Sequence, residues 1–495
     1  MIAKKQEAAA AALDELLLVS GVELARRIRA RQVSSRAVVE AHIARIEAVN
    51  PTINAVVARR YDEARAEADA ADARIAQATT AGEAALAALP PYLGVPCTIK
   101  ECFAFTGMPQ TSGLVARKGL VATSDAITVA RMRAAGVIPL GVTNVSELCM
   151  WYESNNRVYG RTNNPYDATR IVGGSSGGEG AIIGAGASPF GLGSDVGGSI
   201  RMPAFFNGVF GHKPTGGLVP GSGQYPEAHG EGARMVATGP LARRAADLWP
   251  LVKILAGPDG HDEGAYEMAL GDPAAVRIDE LTVVDVEDNG AFVVHRELKA
   301  AQERVAAALT RAGARLRRVR FPLLRYSFEM WSAAMSSRNL QSFSELLGNG
   351  RRTRGGLELL KWAARRSPHT LPAIGLAMLE RIGDVAPRRV ARAVELAGVL
   401  ERQIIDAIGD GVMLYPSFPT PAPRHYHPLR SPFQFVYTAI INVMQLPATQ
   451  VPLGLGSEGL PLGVQVVAGP GRDHVSVAVA QHLERELGGW VPPPR

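Results

Sequence analysis

Cysteine is scarce in this 495-residue chain, which has only Cys97, Cys102 and Cys149. An odd number without CxxC spacing supplies neither a disulfide framework nor a zinc site, so no metal is expected and a reducing cytoplasm is the compartment that fits. Lysine is also rare, eight of the 53 basic residues. A face built for nucleic acid is not indicated, because 53 basic and 47 acidic residues are interspersed and leave a net charge of +6. No GxxxxGK run occurs and no lysine closely follows a glycine loop, so no nucleotide or other cofactor is expected. Long hydrophobic runs are missing as well. The longest uncharged stretch, residues 431–457, is broken by Pro432, Gln434, Asn442, Gln445, Pro447 and Gln450, and reads as a buried helix followed by a buried strand rather than an integral membrane segment. The start, Met1-Ile2-Ala3-Lys4-Lys5 and an Ala-rich charged stretch, lacks the apolar centre and cleavage site of a secretory signal.

From Leu16 to Ala78 the apolar spacing is helical, with Pro51 as the one clear break, which predicts an N-terminal helical layer over residues 1–80. Strand signals follow at residues 94–99, 137–142, 190–193, 281–286, 314–319, 412–415, 448–452 and 464–467, with helical patterns at 125–135 and 293–312. Such alternation predicts an α/β domain layered around one sheet. We read the whole chain, 1–495, as one domain with a catalytic core at 81–325 that resumes at 388–495. Between residues 326 and 387 strand signals vanish, and Leu357, Leu359, Leu360, Trp362, Leu371, Ile374, Leu376, Met378 and Leu379 lie near Arg351, Arg352, Arg354, Lys361, Arg365 and Arg366. This segment is a helical cap, either surface helices packed on the core or a cover over an apolar channel that touches a membrane surface.

What the chain does hold is glycine in one place. Residues 173–203 contain eleven, a density that lets backbone N–H groups turn toward one small point, as a developing negative charge requires. Within this run a strand enters the turn Val196-Gly197-Gly198-Ser199, and the upstream loop Gly173-Gly174-Ser175-Ser176-Gly177-Gly178 carries two more serines. If Ser199 attacks a carbonyl, the N–H groups of Val196, Gly197, Gly198 and Ser199 can face the oxyanion. A serine also needs a base. Of the ten histidines only His212 lies near the glycines, whereas Lys100 ends an apolar segment. Arginine keeps its proton in a protein but an ammonium taken out of water can release it, so a lysine kept there in an arginine-rich chain points to proton transfer from Ser199 through Ser175 to Lys100. The loop also fits GxSxG with Ser176 as nucleophile, a reading that leaves Lys100 and Ser199 without roles.

Gly173-Gly174-Ser175-Ser176-Gly177-Gly178 followed by Asp195-Val196-Gly197-Gly198-Ser199-Ile200-Arg201-Met202-Pro203 resembles the amidase signature, and Gly94-Val95-Pro96-Cys97-Thr98-Ile99-Lys100-Glu101 resembles that family's catalytic-lysine strand. Lys100 and Ser175 lie 75 positions apart and Ser175 and Ser199 lie 24 apart, as in the family's fatty acid amide hydrolase branch. The likeness continues through residues 146–154, 160–167, 204–208, 414–417 and 459–470. It implies an amidase-signature fold: one large mixed twisted β-sheet flanked by helices on both faces, with a helical cap insertion. It further implies Ser199 as nucleophile, Ser175 as a bridging serine after a cis peptide, Lys100 as base and the Val196, Gly197, Gly198 and Ser199 backbone as oxyanion hole. Asp195, Arg201 and Ser176 become supporting residues. Trp151 and Tyr152 read equally as core residues or pocket walls, and with Cys149 and Met150 they are the candidate pocket residues.

The implied activity is that of a serine amidohydrolase acting on small or lipophilic amides (fatty acid amides, N-acyl amines, anilides) through an acyl-enzyme. Carbamate or ester hydrolysis by the same triad stays open, as does an amidase-like subunit of a tRNA-dependent amidotransferase. The expected partner is a small-molecule amide, carbamate or ester, with peripheral membrane contact and a homodimer both left open.

Overall fold

The computed structural model describes residues 15–337, 341–383 and 387–494. The expectation for Met1 to Lys5 lies outside the described residues, as do positions 338–340 and 384–386 of the cap segment. Among the described residues thirteen strands occur: β1 (Val56–Arg59), β2 (Pro96–Lys100), β3 (Ile138–Thr143), β4 (Asn155–Asn156), β5 (Gly160–Arg161), β6 (Phe190–Asp195), β7 (Phe210–Lys213), β8 (Ala237–Ala242), β9 (Thr282–Asp285), β10 (Arg315–Arg318), β11 (Val412–Tyr415), β12 (Ala448–Leu455) and β13 (Pro461–Ala468). β4 and β5 form a hairpin, and the other eleven form one mixed sheet in the order β1-β3-β2-β6-β8-β7-β12-β13-β11-β9-β10, flanked by helices. All eight strand-forming runs read from the sequence lie in this sheet, which also recruits β1, β7 and β8.

The middle of the sheet places the candidate site residues. Every residue of β2, β3 and β6 is buried, as expected of strands covered on both faces. β2 runs parallel to β6, with Thr98 opposite Gly191 and Ile99 opposite Leu192. The C-terminal ends of the two strands therefore lie side by side, the place where α/β sheets collect their ligands. Lys100 closes one strand; Ser194 and Asp195 close the other.

Helices Gly21–Arg29, Ser35–Ile53 and Tyr61–Ala81 form most of the N-terminal part. Ser20 and Ser34 cap the first two, accepting the Glu23 N–H at 3.1 Å and the Ala37 N–H at 3.0 Å. The expected break at Pro51 shifts slightly: Pro51 sits in the last turn of the second helix, which stops at Asn54 with φ 49°. β1 then pairs antiparallel with β3, so the stretch read as wholly helical contains an edge strand. Further on, residues 431–457 contain the fully buried helix Val436–Val443 followed by β12, as expected. Among the described residues no helix is long and apolar enough to cross a membrane.

Between residues 326 and 387 the described chain forms four helices and no strand: Ser327–Ser337, Phe343–Leu347, Gly355–Ala363 and Leu371–Gly383. The first packs against Val436–Val443 and Pro387–Ile408; the next two pack on the fourth. A small apolar cluster of Leu114, Leu148, Phe343, Leu346, Leu347, Ala373 and Ala377 joins these helices to the turn Glu147–Cys149.

Candidate active site

Lys100 is fully buried, and its Nζ donates to Ser175 Oγ at 2.7 Å and to Ser194 Oγ at 2.9 Å. Among the described residues it has no salt-bridge partner, so its hydrogen bonds end on uncharged oxygens. Ser175 follows a cis Gly174–Ser175 peptide, as the resemblance implied, and stands just before the helix Gly177–Gly184. Ser176 staples the two serine loops together: its N–H donates to the Ser199 carbonyl at 3.2 Å and its hydroxyl to the Ser194 carbonyl at 3.3 Å. Ser199 lines the same cavity as Ser175. Its hydroxyl takes no protein hydrogen bond among the described residues, the Ser175 hydroxyl included. His212 is drawn elsewhere, to Thr449 Oγ1 at 2.9 Å and Asp473 Oδ1 at 3.1 Å.

The turn after β6 is held from below by Asp195. Its carboxylate accepts the Gly198 N–H at 2.6 Å, the Ile200 N–H at 3.0 Å and a two-pronged pair of bonds from Arg201 at 3.0 and 3.1 Å. Burial pushes this carboxyl up, but the charge and hydrogen bonds of Arg201 outweigh it and hold the group at about 2. Arg201 is itself locked by Gln465 and Asn442. The pair is wholly buried, so loss of either partner strands a charge in the core. Of the four N–H groups read from the sequence as oxyanion donors, that of Gly198 is committed to Asp195, while those of Val196, Gly197 and Ser199 take no protein acceptor among the described residues. Gly198 has a different reason to be glycine. It sits at φ 116°, and a Cβ there would meet Thr438 Oγ1 at 2.0 Å.

Two cavities meet at Ser199. The larger, about 590 Å³, is walled by Cys149, Met150, Trp151 and Tyr152 on one side and by side chains such as Phe328, Leu376 and Phe435 on the other. The smaller, about 90 Å³, runs past Ser175 and Ser194 toward Cys102, Gln224 and Tyr225. All four expected pocket residues thus line the larger cavity, while Tyr152 is also a core residue that donates to the Ser431 carbonyl at 2.6 Å. Glu147 fastens the cap beside them. Its buried carboxylate accepts the Thr370 N–H at 2.8 Å and lies 2.8 Å from His369 Nδ1.

Sequence reasoning did not single out Ser194, Thr438, Asn442 or Gln465. Ser194 could have been found from strand periodicity, since it closes β6 beside the end of β2. The others come from residues 438–465, remote in sequence, and carry no local signal.

Cys149 lines the smaller cavity with Cys102 and Ser175. Its neighbour Cys102 lowers the Cys149 thiol, burial opposes this, and the charge of Lys100 adds to the lowering, while burial drives Cys102 well above the ordinary range. A thiol held low is thiolate at a lower pH, and thiolate is the reactive form. Iodoacetamide is therefore expected to inactivate the enzyme with a half-maximal rate below about pH 8.5, the value for free cysteine. Residual activity measured against pH checks this. Cys149→Ala is expected to resist, and equal inactivation of that variant overturns the assignment.

The profile of the Amidase family matches residues 37–476. The chain is 47% identical to fatty-acid amide hydrolase 2 of Homo sapiens over 97% of this chain and 91% of that one. It is 31% identical to indoleacetamide hydrolase of Bradyrhizobium diazoefficiens over 95% of this chain and 86% of the other. The solved structure of 6-aminohexanoate cyclic dimer hydrolase with substrate superimposes with a TM-score of 0.80 at 27% identity, over 97% of this chain and 99% of that one. With the family match spanning most of its length, the chain belongs to the amidase family and is a hydrolase acting on amide C–N bonds.

Proposed function

We propose that the protein is a serine amidohydrolase in which Ser199 attacks the amide carbonyl, Ser175 relays its proton and Lys100 receives it. The observation that carries this reading is the 2.7 Å contact between Lys100 Nζ and Ser175 Oγ, with Ser175 and Ser199 on the wall of one cavity. An uncharged amine accepts along the same line on which an ammonium donates. The oxyanion docks on the N–H groups of Val196, Gly197 and Ser199, and the proton returns to the leaving amine as the C–N bond breaks. Water then attacks the acyl-enzyme with the relay running the same way. Asp195, Arg201 and Ser176 keep the turn rigid. The same parts serve an ester or carbamate carbonyl.

The two cavities support one substrate class. A volume of about 590 Å³ walled by Phe328, Met335, Phe433 and Phe435 suits a lipophilic acyl group, and the arm of about 90 Å³ suits ammonia or a small amine as leaving group. Fatty acid primary amides and small N-acyl amines are therefore the proposed substrates, with anilides as poorer ones. Leu357, Leu360, Met378 and Leu379 stand exposed on the outer helices close to Lys361 and Arg365, a surface suited to resting on a lipid interface from which such substrates are drawn.

A panel of straight-chain primary amides tests the reading. Each methylene buried is worth about 0.8 kcal/mol, so kcat/KM is expected to rise roughly three- to fourfold per added CH₂ until the cavity is filled. Matched anilides should be slower. A flat profile, or a preference for bulky leaving groups, reverses the assignment of the two arms, and no turnover anywhere in the panel sinks the substrate class.

A further inference from the structure

Among the described residues, a hydrogen bond crosses from the cap segment to the catalytic turn. Trp331, on the helix Ser327–Ser337, donates its indole N–H to the Val196 carbonyl at 3.0 Å. Its ring stands edge-on to Phe435, with centroids 4.9 Å apart at 82°, and lies over Gly197, where a Cβ would come 3.4 Å from Trp331 Nε1. Both rings line the larger cavity. The next carbonyl along, that of Gly197, is held separately by Thr438 Oγ1 at 2.8 Å.

In a trans peptide the carbonyl and the following N–H point in opposite directions, so fixing one fixes the other. The Val196 carbonyl shares its peptide plane with the Gly197 N–H, one of the three donors left for the oxyanion. The Gly197 carbonyl shares its plane with the Gly198 N–H, which goes to Asp195 instead. Glycine offers no side chain to stiffen the plane from within, so an outside hold is needed. We propose that Trp331 is a positioning residue: by holding the Val196 carbonyl, its indole N–H aims the Gly197 N–H at the point where the substrate oxyanion forms. This rests on Ser199 being the nucleophile. It also makes one side chain both cavity wall and brace, so that the acyl group and the oxyanion site lean on the same ring.

Trp331→Phe keeps an aromatic wall and removes the donor; Trp331→His restores a ring N–H. Both are compared with the wild type on a two-carbon and a long-chain primary amide. Removing an oxyanion donor outright costs on the order of 10²–10³ in kcat, and losing its brace is expected to cost about 10- to 100-fold in Trp331→Phe. The loss should fall on kcat with KM within about twofold, should be equal for both substrates, and should be partly recovered in Trp331→His. A residue that only walls the cavity gives the other pattern, a raised KM confined to the long chain, and that result overturns the proposal, as does an unchanged kcat. Should Trp331→Phe not fold, Trp331→Met takes its place as the donor-free variant under the same two outcomes. Ser199→Ala run alongside separates the two readings. If it is inactive while the donor-free variant keeps its kcat, only the role of Trp331 fails; if it turns over normally, the nucleophile assignment fails and takes this inference with it.

Discussion

Ser199→Ala is expected to lose essentially all turnover, a fall on the order of 10⁶-fold in kcat, the size found when the nucleophile of another serine hydrolase is removed. No neighbour can take over. Ser175 is tied to Lys100 at 2.7 Å, and Ser176 is fully buried with its hydroxyl donating to the Ser194 carbonyl. The variant should fold, because Ser199 makes no side-chain hydrogen bond among the described residues and alanine leaves the turn's backbone bonds in place. A fluorophosphonate should phosphonylate the wild type on the Ser199 peptide, located by mass spectrometry, and leave the variant unlabelled. Labelling that persists in Ser199→Ala moves the nucleophile elsewhere and breaks the proposed mechanism.

The second large effect is expected at Lys100. General-base catalysis is worth about 10²–10⁴-fold, so Lys100→Met should lose that much in kcat/KM. Lys100→Arg is the more telling variant. It keeps a positive charge and N–H donors, yet a guanidinium does not give up its proton and so cannot accept one from Ser175. It should therefore fail to rescue. Leaving the Ser175 and Ser194 hydroxyls without their partner costs about 1–3 kcal/mol of stability, which thermal melting can register without the fold being lost. Near-normal activity in Lys100→Arg would show that the site needs only a charge at this position, and the relay would have to be abandoned.

How much of this was legible in the chain depends on how local each signal is. Lys100, Ser175 and Ser199 could be read because each lies in a short run whose residue types have few other uses: a lysine closing an apolar strand, and serines among glycines. A strand such as β11, Val-Met-Leu-Tyr, could be read because it is a continuous apolar run with turns at its ends. β8 could not, since Gly239 and Pro240 in its interior argue against a strand, yet it pairs between β6 and β7. β7 is only Phe-Gly-His-Lys, too short and polar to stand out, and β1 is hidden between two helices. The division of labour on the turn after β6 was likewise invisible. Glycine composition suggests which N–H groups are free to turn, but that Asp195 claims the one on Gly198, and that Trp331 and Thr438 hold the two preceding carbonyls, depends on side chains brought in from other elements.

The carboxylate of Glu147 steadies the larger cavity. Because it is buried and holds both His369 and the start of the helix Leu371–Gly383, that helix cannot lift away without breaking both contacts. The cavity wall carried by this helix, Leu371, Leu376 and Leu379 among it, is thereby moored to the turn Glu147–Cys149.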